Sequence, residues 1–169
     1  LVVVVVAAVA PPASAQDLVA TLESEFLERF TRFIEWPSGS SVSDASTPFV
    51  ICVRDREAVF DALGRIAAKS KVKGKRLEVR RIDTPDQAPA CNVVFVGPGS
   101  PDAFRAIVDT VARKPVLVVS DSRGYAKRGS MINFVTDGEF VRFEVNPSAA
   151  EASGLRFAPE LLALGEVVN

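Results

Sequence analysis

The sequence contains no histidine. That excludes Ser-His-Asp and Cys-His nucleophile chemistry and every metal site built on imidazole. Cysteine is almost as scarce. Cys52 and Cys91 are the only two, too few for a closed zinc site. No sign of charge dominates, since 20 basic residues against 21 acidic ones give a net charge of -1. Nothing in that balance points to nucleic acid or an anionic membrane surface. The acidic residues are scattered singly, without a paired motif for acid–base work. A full G-x-G-x-x-G phosphate loop is also missing: in Gly97-Pro98-Gly99-Ser100-Pro101, Asp102 stands where the third glycine belongs. The expectation is a domain with no catalytic residue, no metal ligand and no cofactor, and so not an enzyme.

Two stretches stand out from an otherwise ordinary globular composition. The first is residues 1–15, LVVVVVAAVAPPASA, an apolar run that ends in Ala13-Ser14-Ala15. It reads as the later part of a signal peptide with an A-x-A cleavage pattern, and the alternative is an apolar first helix of the fold. On the signal reading, residues 16–169 form a single exported domain. Export would place Cys52 and Cys91 in an oxidising compartment, where a disulfide can form. Both border strand-like runs, FVICVR and CNVVFVG, that could be neighbours in one sheet. Two buried free thiols acting as small hydrophobes are the alternative.

The second stretch is residues 114–146, around which the rest of the chain is arranged. Residues 116–119 are wholly apolar and mostly β-branched, which suits a strand buried on both faces. Two alternating runs follow, joined by Asp137-Gly138, a hairpin signal of the type I′ kind. In the second run Val141, Phe143 and Val145 share the core face. Phe140, Arg142 and Glu144 share the other.

Elsewhere the pattern alternates. Residues 17–35 read as a helix with Leu18, Leu22, Phe26, Phe30 and Phe33 in one stripe, Asp17 at its start and Pro37 beyond its end. Strands are predicted over 49–53, 76–82 and 92–96, and helices over 55–70, 102–112, 148–153 and 159–164. Asn146-Pro147 is placed to cap and start the fourth of these helical segments, counting the first helix. Alternation with short connections predicts an α/β fold, a three-layer sandwich with a mainly parallel sheet extended by a C-terminal antiparallel hairpin.

Three features could carry a ligand. The turn at Gly97 lies where open α/β sheets bind ligands, at strand carboxyl ends. Asp121 follows the central strand as a phospho-acceptor would, although a role in capping its loop fits better. The basic run of residues 69–81 has no interleaved aromatic residues and reads as a solvated turn and strand edge.

The order and spacing of several segments resemble the YfiR-like periplasmic proteins. These are a first helix ending in FIEWP, then FVICV, CNVVFVG, KPVLVVSD, the glycine loop into MINFV, and FEVNPSAAEASGLRFAPELLAL. The resemblance runs from about Leu22 to Val168. It implies a periplasmic repressor that binds the periplasmic region of a membrane-bound diguanylate cyclase or similar sensor, lowers cyclic di-GMP, and is relieved by an outer-membrane lipoprotein. It also places the family's first cysteine pair on Cys52 and Cys91. A second pair found in some members has no counterpart here. The partner surface expected on this reading combines Phe140, Arg142 and Glu144 with the loop of residues 122–129, anchored by Tyr125; a homodimer is a further possibility. The competing expectation is a small-ligand-binding domain using a cleft by Gly97 and Asp121.

Overall fold

The structure, a computed structural model, describes residues 14–137 and 140–168. All but the last two residues of the predicted signal segment, and Gly138 of the predicted turn, lie outside those residues.

Helix α1 (Ala15–Phe30) begins with a capping box: Ser14 Oγ accepts from the Asp17 amide, and the Asp17 carboxylate accepts from the Ser14 amide. The predicted helix continued to residue 35, but the chain leaves it at Phe30. A 3-10 turn (Thr31–Phe33) leads into strand β1 (Ile34–Glu35), which pairs antiparallel with β9 (Arg156–Phe157). A partner 121 residues downstream, together with Pro37, overrides the helical periodicity. Then come β2 (Phe49–Arg54), α2 (Glu57–Ala67), β3 (Lys71–Val72), β4 (Lys75–Arg81), β5 (Val93–Val96), α3 (Pro101–Thr110) and β6 (Leu117–Ser120). The hairpin strands are β7 (Ile132–Asp137) and β8 (Phe140–Val145). Helix α4 (Pro147–Ala152), the short strand β9, helix α5 (Pro159–Leu164) and β10 (Glu166–Val167) close the chain.

Eight strands form one sheet in the order β10-β8-β7-β6-β5-β2-β4-β3. Strands β4, β2, β5, β6 and β7 run parallel, and β8 pairs antiparallel with β7 from Ile132↔Val145 to Asp137↔Phe140. The hairpin is not the sheet's edge. Strand β10 returns to pair parallel with β8 at Glu144 and Val145, a contact too short to leave a sequence signal. The crossover from β2 steps one way along the sheet and that from β5 the other. Right-handed connections therefore put α2 and α3 on opposite faces, which gives the predicted three-layer α/β sandwich.

The core lies on both sides of this sheet. Phe49, Ile51, Phe95, Leu117, Ile132 and Phe134 are among its fully buried side chains. Phe30 anchors α1 by stacking near Phe134, 6.1 Å between ring centroids, and Phe143, 4.5 Å away. Burying such a ring contributes roughly 1.5–3 kcal/mol. Trp36, just past β1, meets Phe49 edge-on at 5.5 Å and so ties this end of the first segment to the sheet. The buried face of α1, however, is not the predicted stripe. It runs through Ala20, Glu23, Ser24, Leu27 and Phe30, while Leu18 and Leu22 are exposed. An acid on the buried face broke the apolar pattern, and Glu23 is buried because its partners are polar.

Candidate functional site

The carboxyl ends of β2, β5 and β6 form the first place to look. The strand order reverses between β2 and β5, where an open α/β sheet has its ligand crevice. Here the crevice is filled by the chain itself. Asp55 turns sharply with φ of 55° and lies directly against the β5–α3 loop. A Cβ on Gly97 would overlap the Asp55 carbonyl oxygen and sit 2.7 Å from Arg56 Cβ. One on Gly99 would sit 2.7 Å from Asp55 Oδ2. The two glycines thus serve close approach between loops.

Beside them lies a buried charge cluster. Arg56, at the N-cap of α2, donates from Nε to Asp121 Oδ2 at 2.6 Å and from Nη2 to Glu23 Oε2 at 3.4 Å. Glu23 is 1% exposed. Burial, and after it the nearby Asp121 charge, push the Glu23 carboxyl up to about 8 against the opposing pull of Arg56. Burial also raises Asp121, against the opposing pull of Arg56. Glu23 Oε1, Asp121 Oδ1 and Ser122 Oγ are buried without hydrogen-bond partners. Asp121 is therefore an ion-pair partner of α2 rather than the loop cap expected from the sequence. No group of three or more potential metal ligands occurs among the described residues.

The second place is the hairpin. Phe140 is 72% exposed, and the Arg142 side chain is open to solvent with Nη2 3.4 Å from Asp137 Oδ2. Glu144 shares their face but is half-buried, accepting from Asn133 Nδ2 at 2.7 Å. Asn133 in turn accepts from Ser120 Oγ at 2.7 Å, so a polar string runs from β6 through β7 to β8. A shallow groove lined by Arg123, Arg142, Glu144 and Glu166 crosses this outer face.

Tyr125 is not part of that surface. It is buried, its ring tilted against Phe104 of α3 with 4.1 Å between centroids. The loop that carries it is pinned by the Asn146 side chain, whose Nδ2 donates to the Ala126 carbonyl at 2.9 Å. The sequence shows Tyr125 among polar neighbours, and only the α3 contact turns it inward. Conversely, Leu164 at the end of α5 is exposed, as is Val167 on β10, which pairs with β8, and the sequence reading does not mark either as a surface residue. The amphipathic PELLAL run was the one available signal, and it says which residues are apolar without saying which are covered.

Residues 20–166 match the family described as YfiR/HmsC-like. The chain belongs to that family. Members of the YfiR/HmsC-like family are regulators rather than enzymes, and membership fits a regulatory protein of the periplasm. No helix among the described residues is long and apolar enough to cross a membrane. Cys52 in β2 and Cys91 just before β5 form a disulfide, with Cα atoms 5.9 Å apart. Two solved structures share the fold. One is a conserved domain protein of Vibrio cholerae O1 biovar El Tor, with 15% identity over 89% of this chain and 60% of that one, and a TM-score of 0.59. The other is the ABC domain from Streptococcus pneumonia, solved in complex with L-Trp, with 10% identity over 88% and 60% and a TM-score of 0.56. The YfiR/HmsC-like chain thus spans about 60% of the length of each, and at these identities the likeness is one of fold.

Proposed function

We propose that this domain is a periplasmic regulator that restrains a membrane-bound sensor of the diguanylate cyclase type by binding its periplasmic region. The docking surface is the β7–β8 hairpin together with the neighbouring α5–β10 segment. One observation carries the reading. Phe140, Leu164 and Val167 are 72%, 69% and 49% exposed, all on the last strands and helix at one end of the sheet. Exposed large apolar side chains on the elements of one margin suit a binding surface. Phe140 lies on the outer face with Arg142 and Glu144, and Val167, opposite Val145, on the other face of the same margin. An outer-membrane lipoprotein that competes for this surface would relieve the restraint.

The competing reading, a small ligand held by Gly97 and Asp121, is disfavoured by the packing there. Asp55 occupies the crevice and Arg56 occupies the Asp121 carboxylate.

The test is binding of the purified sensor region to the wild type, Phe140→Asp and Leu164→Asp, each first shown by circular dichroism to be folded. Burying either side chain against a partner is worth about 1.5–3 kcal/mol, so each variant should bind at least about tenfold more weakly. Folded variants with wild-type affinity would remove the hairpin margin from the interface. The same reading requires export. N-terminal sequencing of the periplasmic protein should find a chain that begins at or within a few residues of Gln16, and a mature species retaining residues 2–6 would refute it.

A further inference from the structure

The Glu23–Arg56–Asp121 cluster has an imbalance that the docking reading does not use. Two carboxylates face one guanidinium, leaving one excess negative charge where Glu23 is 1% exposed and the Asp121 side chain 7%. Each carboxylate offers one oxygen to Arg56. The other oxygen of each, Glu23 Oε1 and Asp121 Oδ1, is buried with no partner. Like charges crowded into a dry site do not both ionise, and one proton would remove the excess. Geometry selects its position. Asp121 holds the short contact to Arg56, 2.6 Å, and Glu23 the long one, 3.4 Å. The carboxylate with the weaker hold on the cation is the one that takes the proton.

We infer that Glu23 and Asp121 share one proton at neutral pH, resident on Glu23, and that this proton latches α1 to the carboxyl end of the sheet. The charged groups facing Glu23 are Arg56 from α2 and Asp121 from the end of β6. Strand β8 also packs against α1. It places Phe143 on that side and so turns Arg142 and Glu144 to the opposite face of the sheet. Arg65 of α2 acts on Asp17 at the start of α1 instead. Loss of the proton puts an uncompensated charge at the middle of α1, whose Phe30 supports both hairpin strands through Phe134 and Phe143. The latch therefore couples pH to the element beneath the exposed hairpin. It is read on the isolated domain, so it stands or falls independently of the docking surface.

The sign follows from the raised carboxyl. The folded chain keeps the Glu23 proton up to about pH 8, whereas the unfolded chain loses it near 4.5. Its stabilisation is complete below the unfolded value and is lost as pH rises through the folded one. Asp121, also raised, acts in the same direction.

The experiment is denaturant unfolding of the purified protein from about pH 5 to about pH 9, with hydrogen exchange at the Ala20–Leu27 amides and carboxyl NMR of Glu23. The wild type should lose stability across this range, and its α1 amides should exchange faster than the intrinsic pH effect requires. Glu23→Gln should weaken both trends, leaving only the Asp121 contribution, and exceed the wild type in stability at the alkaline end. In Asp121→Asn the Glu23 carboxyl should titrate well below its wild-type midpoint. A wild-type Glu23 that titrates near 4.5 would overturn the latch, as would a Glu23→Gln protein with unchanged pH dependence. The NMR titration decides the matter on the wild type if a variant fails to fold.

Discussion

Replacing both Cys52 and Cys91 by alanine should lower the stability of the domain by about 4 kcal/mol. The two residues are 39 positions apart, and the bridge closes that loop in the unfolded chain, where most of its effect arises. Within the folded chain it joins β2 to the segment that enters β5, two adjacent strands that are already in register at Cys52↔Val94. The sheet therefore keeps its pairing without the bridge, and the double variant should show a native-like circular dichroism spectrum at low denaturant. Both cysteines are buried, at 1% and 4% exposure, so reduction of the native protein should be slow and should accelerate only on unfolding. Denaturant midpoints with and without reductant, alongside non-reducing peptide mapping, check this. Two thiols that react freely with a maleimide in the native state would refute the bridge. A double variant within about 1 kcal/mol of the parent would refute the stated loop contribution.

Arg56→Leu should cost about 3–5 kcal/mol at mildly alkaline pH, because it leaves two buried carboxylates without a cation. Arg56 is the N-cap of α2 but makes no side-chain cap hydrogen bond, so the substitution removes charge without removing a cap. The size of the effect should depend on pH in a defined direction. Glu23 and Asp121 can both escape by taking protons, and both are already raised by burial. At acid pH the loss should therefore shrink, and it should grow as pH rises and the second proton becomes harder to hold. Arg56→Lys should fall between the two, since an ammonium cannot reach both carboxylates with the fixed fork of a guanidinium. Unfolding free energies of the three proteins at two pH values suffice. A pH-independent loss in Arg56→Leu would mean that lost packing, and not charge, accounts for it.

The family resemblance was legible in the sequence because it lies in the order of segments rather than in any one motif, and the match over residues 20–166 agrees with it. The candidate surface was legible in part. Alternation along β8 placed Phe140, Arg142 and Glu144 together correctly, because side chains on a strand alternate whatever surrounds it. Tyr125 was misjudged for the opposite reason. A loop has no periodicity, and the burial of that ring depends on Phe104, which arrives from another element.

The sequence by itself determined the succession of the longer helices and strands, the mainly parallel sheet and the hairpin, since these follow from hydrophobic period and from Pro and Gly punctuation, which act over a few residues. The two-residue strands β1, β3, β9 and β10 do not follow from them. It also determined which chemistries are absent, because a chain without histidine cannot supply an imidazole. Tertiary structure alone decided which face of α1 is buried, that the crevice at Gly97 is closed, and that β10 rather than the hairpin forms the edge. The buried face of α1 depends on pairing between residues 33 and 65 positions apart, Glu23 with Arg56 and Arg56 with Asp121. An acid is worth burying only where its partners converge in space, and no local pattern in the chain records that convergence.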